Sequence, residues 1–157
     1  MITQILSTPD DDPFLYDLYA NVRNEEISAF GWNDTEKQAF LGMQFEMQQR
    51  SYRMQYPNAE HRIVQLDGRP IGRLITAEAA QSMLLIDISM LLDYRNQGIG
   101  TRLIRELQSQ AVALDKSVQL HVRIGNPAKS LYERLGFRVH QSTEVYEAME
   151  WQPAYIK

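Results

Sequence analysis

Residues Arg95-Asn96-Gln97-Gly98-Ile99-Gly100 stand between an apolar, strand-like run (Met83 to Leu92) and a run of helical periodicity from Leu103 to Leu114. A glycine-rich turn at such a junction aims several backbone N–H groups at one point, and the dipole of the following helix adds partial positive charge there. Gly98 and Gly100 have no Cβ to block close approach, and either can take a positive φ. The chemistry this implies is the binding of an anion, a phosphate above all. Two common phosphate loops do not fit. A P-loop needs Lys followed by Ser or Thr after its last glycine, whereas Thr101-Arg102 follow here. The dinucleotide fingerprint needs a third small residue where Leu103 stands. What remains is an Arg-x-x-Gly-x-Gly turn, whose plain alternative is an ordinary tight turn into a helix.

A second segment narrows the choice. Asn126-Pro127-Ala128-Lys129-Ser130-Leu131-Tyr132-Glu133-Arg134-Leu135-Gly136-Phe137 has an Asn after a strand, a short helix containing Leu-Tyr, and Gly-Phe opening the next strand. The two segments, in this order and spacing, resemble the pyrophosphate turn and the downstream diagnostic segment of the GNAT superfamily of acyl-CoA-dependent N-acetyltransferases. An early Asp-rich turn before a helix and a closing strand with Met149-Glu150-Trp151 extend the resemblance over most of the chain.

The elements that would position these residues can be read in outline. Ile2 to Leu6 suits a short strand, and the acidic turn Thr8 to Pro13 suits a helix start. A helix from about Pro13 to Arg23 would bury Leu15, Leu18, Tyr19 and Val22. Asn33-Asp34-Thr35 can cap a second helix reaching about Tyr56, which Pro57 cannot continue. Arg62 to Leu66 and Pro70 to Thr76 flank Asp67-Gly68, a hairpin signal. In Met83 to Leu91, Ile86, Ile88 and Met90 alternate against Asp87 and Ser89. After the glycine turn and its helix come a strand from Val118 to Arg123, a helix from Pro127 to Leu135, and strands near Phe137–His140 and Glu144–Trp151. The resemblance implies an α/β fold of the GNAT acyl-CoA N-acyltransferase type. It has a central mixed sheet of about seven strands, flanking helices, and a splay between the fourth and fifth strands that admits the acyl-CoA. Residues 1–157 are expected to form a single GNAT acetyltransferase domain.

The resemblance also assigns roles. The backbone from Gln97 to Thr101, with Ile99 inside it and Arg95 and Asn96 opening it, would hold the pyrophosphate of acetyl-CoA. Arg102 and Arg105 are read either as further phosphate contacts or as a solvated helix face. The backbone of Ser89, Met90, Leu91 and Leu92 would bind the pantetheine arm and the thioester oxygen, and an N–H aimed at a developing oxyanion contributes about 3 kcal/mol. Leu92 departs from a proline common in the family at that place. Asn126 and Ser130 would meet the cofactor, and Asn126 would also fix its helix. Tyr132 would protonate the departing thiolate, its alternative being a packing residue; it follows Asn126 at one residue less than in many members. For the general base, Asp87 on the fourth strand and His121 on the fifth are both candidates, and an imidazole of pKa about 6.5 suits that work at neutral pH.

The acceptor region falls to the first two helices and the last strands. Arg23-Asn24-Glu25-Glu26 and Phe30-Gly31-Trp32 are expected in the loop between the helices, where Glu25 or Glu26 would attract a cationic amine or simply face water. Phe40, Met43, Met47 and Met54 form a stripe expected in the core rather than on a binding surface.

Composition bounds the reading without finding it. The chain has 157 residues, 44% of them hydrophobic and 23% charged, as in a soluble globular protein. The sequence has no cysteine, which removes disulfides, thiolate catalysis and Cys-based metal sites. Three scattered histidines give no metal-ligand spacing, so no metal is expected. A net charge of −4 argues against nucleic acid as a partner. The start Met-Ile-Thr-Gln-Ile-Leu has no basic n-region and no apolar run reaches membrane-span length, so a cytoplasmic protein is expected and no membrane partner.

The resemblance implies an acyltransferase, expected to be cytoplasmic, that moves acetyl from acetyl-CoA to a primary amine by direct attack in a ternary complex. The acceptor would be a small molecule or a peptide or protein amine, with a homodimer as an open option. The rival from another class is a non-catalytic protein that binds or senses acyl-CoA.

Overall fold

The computed structural model describes residues 1–156, with elements in the order β1 (Ile2–Leu6), α1 (Asp12–Ser28), α2 (Asp34–Gln55), β2 (Glu60–Leu66), β3 (Arg69–Glu78), β4 (Ser82–Met90), α3 (Ile99–Leu114), β5 (Ser117–Arg123), α4 (Ala128–Arg134), β6 (Arg138–Ser142) and β7 (Tyr146–Trp151). The strands form one seven-stranded sheet in the order β1-β2-β3-β4-β5-β7-β6. It is mixed: β4 runs parallel to β5, while β1 with β2, β5 with β7 and β6 with β7 are antiparallel. This is the expected α/β architecture. The chain forms two compact units, one of Met1–Ile75 with Ile88–Arg95, the other of Thr76–Asp87 with the chain from Asn96 onward.

The first unit is organised by capping and aromatic packing. Thr8 and Asp11 close a reciprocal box before α1. Asn33 and Glu36 do the same for α2, with bonds of 2.8 and 3.1 Å. Each box satisfies helix N–H groups that would otherwise lack partners. The strand turn at Asp67-Gly68 has both residues at positive φ, 50° and 81°, as a two-residue hairpin of the primed type requires. Leu15, Phe45 and Ile63 are buried together, with Phe14, Tyr16 and Tyr19 packed on them. Tyr16 meets Phe45 edge-on at 5.8 Å. In α1, Leu15 and Leu18 are buried as expected, whereas Tyr19 and Val22 are only half-buried.

Two further sequence expectations need correction in this unit. α1 continues to Ser28, so Arg23 to Glu26 are helical and the connection to α2 shrinks to the residues around Phe30-Gly31-Trp32. Arg23 lies over the Tyr19 ring at 4.9 Å, and Arg23 Nη1 sits 3.7 Å from Glu26 one turn on, which helps to hold that extra turn. Met43, Met47 and Met54 are exposed, because the face of α2 that packs inward carries Leu41, Phe45 and Gln49 instead. The core also holds a buried Arg73, 4% exposed, whose guanidinium donates to Gln49 Oε1 at 2.7 Å and to Gln48 Oε1 at 2.9 Å. Hydrogen bonding is what makes a buried charge tolerable.

In the second unit α3 buries Ile99, Leu103, Ile104, Leu107 and Ala111, a helical stripe. β5 alternates cleanly: Val118, Leu120 and Val122 are buried, His121 and Arg123 exposed. Gly136 takes φ 94°, which disfavours any side chain, and a Cβ there would also crowd Trp151 Cδ1 at 3.2 Å, so the turn from α4 to β6 favours glycine. β4 buries Met83 and Leu85 early and Met90 late, so its covered side changes along its length and the simple alternation expected for it does not hold. Among the described residues no helix is long and apolar enough to cross a membrane, and no cluster of three or more His, Asp or Glu could hold a metal.

Candidate active site

The registered pairing of β4 with β5 runs from Ser82↔Ser117 to Leu85↔Leu120. Asp87 stands two residues past the last registered pair on β4, and His121 one residue past it on β5. Because paired residues share a face and successive ones alternate, Asp87 belongs to the side of Leu85 and Leu120, and His121 to the other. The helix α4 lies on Asp87's side. Lys129 of α4 pairs with Glu147 at 3.0 Å, and Glu147 is the register partner of Val122, which shares a face with Leu120. This hydrogen bond with Glu147 also holds Lys129 above the ordinary lysine pKa.

Tyr132 is buried, its ring edge-on to Phe137 at 6.0 Å. Burial pushes the phenol up to about 12, and the charge of Asp87 adds to the rise. Two of the three expected catalytic groups, Tyr132 and Asp87, are thus electrostatically coupled. His121 is not brought to them: it is exposed, opposite Ala148 of β7 on the other face.

The glycine turn has the form an anion site needs. Asn96 (φ 60°) and Gly98 (φ 80°) are both left-handed, and Gly98 is the residue before the first turn of α3. Left-handed residues alternating with ordinary ones turn successive N–H groups into a shared concavity. No side chain caps α3 and no acidic residue stands in its first turn, in contrast to the boxed and acidic start of α2. Ile99 anchors the turn by burying its side chain, while Asn96, Gln97 and Gly98 stay exposed. Gly100 faces α4, where an added Cβ would lie 3.7 Å from Leu131. Thr101 and Arg105 border a hollow along α3 that also touches Arg102. Arg102 Nε lies 3.4 Å from Glu106 Oε1, so its guanidinium is at least partly a helix-face partner. Asn126 Oδ1 accepts from the Ala128 N–H at 2.9 Å, starting α4, and Ser130 lies exposed on that helix.

In the first unit the end of β4 is held tightly. A methyl on Gly72 would overlap the Ser89 carbonyl oxygen and the Met90 sulfur. Arg95 Nε donates to the Met90 carbonyl at 3.3 Å, tying the start of the turn back to the strand. The Leu91 N–H donates to the Ile71 carbonyl at 2.9 Å, and the Leu92 N–H to Asn21 Oδ1 at 2.9 Å. Both amides are therefore spent on the protein, which narrows the expected contacts of Leu91 and Leu92 to their other atoms. Asn21 escaped sequence reading because a polar residue on a helix carries no periodic signal of a long-range partner.

Comparison with known proteins adds three findings. The family profile described as Acetyltransferase (GNAT) domain matches residues 57–139, more than half the chain. No curated protein matches the sequence. Among solved structures, the chain is similar to the PaiA N-acetyltransferase of Thermoplasma acidophilum in complex with coenzyme A, with a TM-score of 0.72 and 14% identity over 97% of this chain and 99% of that one. Spermidine N-acetyltransferase of Vibrio cholerae, in complex with CoA and spermine, gives 0.66 and 20% over 99% and 98%. The ribosomal-protein-S18-alanine N-acetyltransferase of Escherichia coli gives 0.64 and 19% over 97% and 94%. At these identities the structures speak for the fold, and the profile speaks for the family.

Proposed function

The chain belongs to the GNAT acetyltransferase family, and we propose that it transfers acetyl from acetyl-CoA to a primary amine by direct attack, with Tyr132 as acid and Asp87 as base. It is an acyltransferase, and residues 1–157 are taken as one GNAT domain, a reading supported by fold likeness over nearly the whole chain. Acetyl-CoA supplies an activated acetyl thioester and a thiolate leaving group. The uncapped first turn of α3 and the left-handed Asn96 and Gly98 suit its pyrophosphate, with Thr101 adding a hydroxyl. Asn126 and Ser130 are the residues proposed to meet the cofactor from α4 and the turn before it. Ser89 and Met90 are the strand residues proposed for the pantetheine arm, together with the carbonyls of Leu91 and Leu92.

The observation that carries the mechanism is the coupling of a buried Tyr132 to Asp87. A phenol near 12 stays protonated throughout the working range, so its Oη always has a proton to give. A thiol of pKa about 8.5 is a good enough leaving group to need only that modest help. The proton lost by the amine is taken by the Asp87 carboxylate, directly or through water, and Tyr132 is reprotonated from solvent when the thiol leaves. No covalent enzyme intermediate is required, since the chain contains no cysteine. His121, exposed on the opposite face, is the weaker candidate for the base.

Relatives of this fold include one named for spermidine and one named for a ribosomal protein's alanine, so both small polyamines and peptide N-termini belong in the substrate screen. Thiol release from acetyl-CoA, measured across such amines, tests the proposal. Release above the hydrolytic background with at least one amine is expected. Tight CoA binding with no amine-dependent release would overturn it.

A further inference from the structure

Asn21 stands in the middle of α1, three residues on from the buried Leu18 and so on the side of the helix that turns inward. Asparagine is a poor choice there. Its amide competes for backbone bonds that a helix interior has already made, and it brings polar atoms that need partners. The side chain finds its partner at long range: Asn21 Oδ1 accepts from the Leu92 N–H, 71 residues along the chain, at 2.9 Å. β4 ends at Met90, the Leu91 N–H donates to the Ile71 carbonyl at 2.9 Å, and Leu92 begins a single 3₁₀ turn that ends at Tyr94. The first N–H of such a turn has no partner within it. The Leu92 side chain is 40% exposed and gives that residue little anchorage of its own.

What the bond fixes is a peptide plane. The Leu91 carbonyl and the Leu92 N–H belong to one trans peptide unit and point opposite ways. Holding the N–H towards α1 therefore turns the Leu91 carbonyl away from α1. That carbonyl accepts from the Tyr94 N–H at 2.9 Å, which leaves its second lone pair for a further donor. The 3₁₀ bond holds one end of this plane, and Asn21 holds the other.

We propose that Asn21 is a positioning residue for the cofactor: by holding the Leu92 N–H, it presents the Leu91 carbonyl to an amide N–H of the pantetheine arm. The proposal rests on the acetyl-transfer reading above, which takes that arm to lie along the end of β4. Proline at position 92 offers a separate route to the same geometry. It has no N–H to satisfy, and its ring sets a φ close to that of a 3₁₀ turn. The residue before a proline prefers extended values, and Leu91 already has them, with φ −56° and ψ 144°. In a Leu92→Pro background Asn21 has nothing to hold.

Calorimetric titration with CoA tests this. Asn21→Ala is expected to weaken CoA binding by roughly two- to tenfold, the worth of one net hydrogen bond, and to speed hydrogen exchange at the Leu92 amide. Whatever Leu92→Pro does alone, adding Asn21→Ala to it should change CoA affinity by less than about twofold. An Asn21→Ala variant that binds CoA as the wild type does overturns the proposal. So does a loss of the same size in the proline background, which would place the effect elsewhere. If circular dichroism shows that the proline variant does not fold, Asn21→Asp decides, at about 0.5 M salt to screen the added charge. This variant keeps an acceptor oxygen, so it should protect the Leu92 amide and bind CoA at least about twofold better than Asn21→Ala. Affinity no better than that of the alanine variant overturns the proposal. A wild type that binds no CoA overturns both this role and the reading beneath it, whereas CoA binding indifferent to Asn21 overturns the role alone.

Discussion

Tyr132 is a phenol that the protein keeps from ionising. Its burial, reinforced by the charge of Asp87, raises its pKa to about 12, so the wild-type kcat should hold on the alkaline side through pH 10 without a tyrosine limb. The sign for stability follows from the same shift. A pKa raised on folding favours the native state below the unfolded value near 10, and that contribution is lost as pH rises towards 12. Tyr132→Phe should therefore flatten the fall in stability over that window, as read by urea melts at several pH values. In kinetics the same variant should lower kcat by about 10²–10⁴-fold with little change in KM for acetyl-CoA, the usual worth of a proton donor. A variant with wild-type turnover would return Tyr132 to a packing role. Asp87 and His121 separate in a paired experiment. Asp87→Asn should lower kcat/KM by tenfold or more on a high-pKa amine, with the deficit shrinking as pH rises and more amine arrives neutral. His121→Ala should stay within about twofold, since general base loss of the usual size would exceed that. The reverse outcome would move the base to β5.

At the level of elements, two glycines carry different burdens. Gly98 takes φ 80° at the head of α3 with open space around it, so its structural constraint is conformational and not steric. Gly98→Val should cost about 1–3 kcal/mol of strain and remove CoA binding in calorimetry, because the branched side chain would project where a phosphate must approach. Gly72 is constrained by space alone, against the Ser89 carbonyl and the Met90 sulfur. Gly72→Ala should lower stability by about 1–3 kcal/mol, as overpacking does, and should loosen the end of β4 as read by hydrogen exchange at Leu91. Equal protection of that amide in wild type and variant would mean the strand accommodates the methyl.

The whole molecule links these scales through the ligand. At a CoA concentration about 100 times its dissociation constant the native state gains about 2.7 kcal/mol. For a chain of this size that amounts to a rise in Tm of roughly 5–10 °C. Gly98→Val should show no such rise, whatever its own Tm. Most elements and the turn itself were legible because periodicity, capping residues and paired glycines are local signals, whereas the mixed seven-stranded sheet came only through the family resemblance. The α1 extension to Ser28 was not, since nothing in Arg23 to Glu26 distinguishes a helix from a charged loop until Arg23 settles on Tyr19. The Met stripe misled for a related reason. A seven-residue repeat reports that one face is apolar, and only the tertiary placement of Leu41, Phe45 and Gln49 says which face turns inward. Likewise, no spacing could announce that Arg73 would be buried among glutamines, or that Asn21 would claim the Leu92 amide.

The parallel pairing of Ser82–Leu85 with Ser117–Leu120 also sets a schedule. Closing it brings together strands that the turn and the whole of α3 separate in sequence, whereas the Asp67-Gly68 turn joins neighbours and can form within about 1–10 μs. Loop closure of the longer kind must be completed before its contacts return any free energy. The segment that carries the turn proposed to bind phosphate is thus the one enclosed by the late event, so competence to capture cofactor should arise near the end of refolding. In pulse-labelled hydrogen exchange, amides of β2 and β3 are expected to gain protection first. Those of β5, and the capacity to quench with added CoA, should follow together in a slower phase.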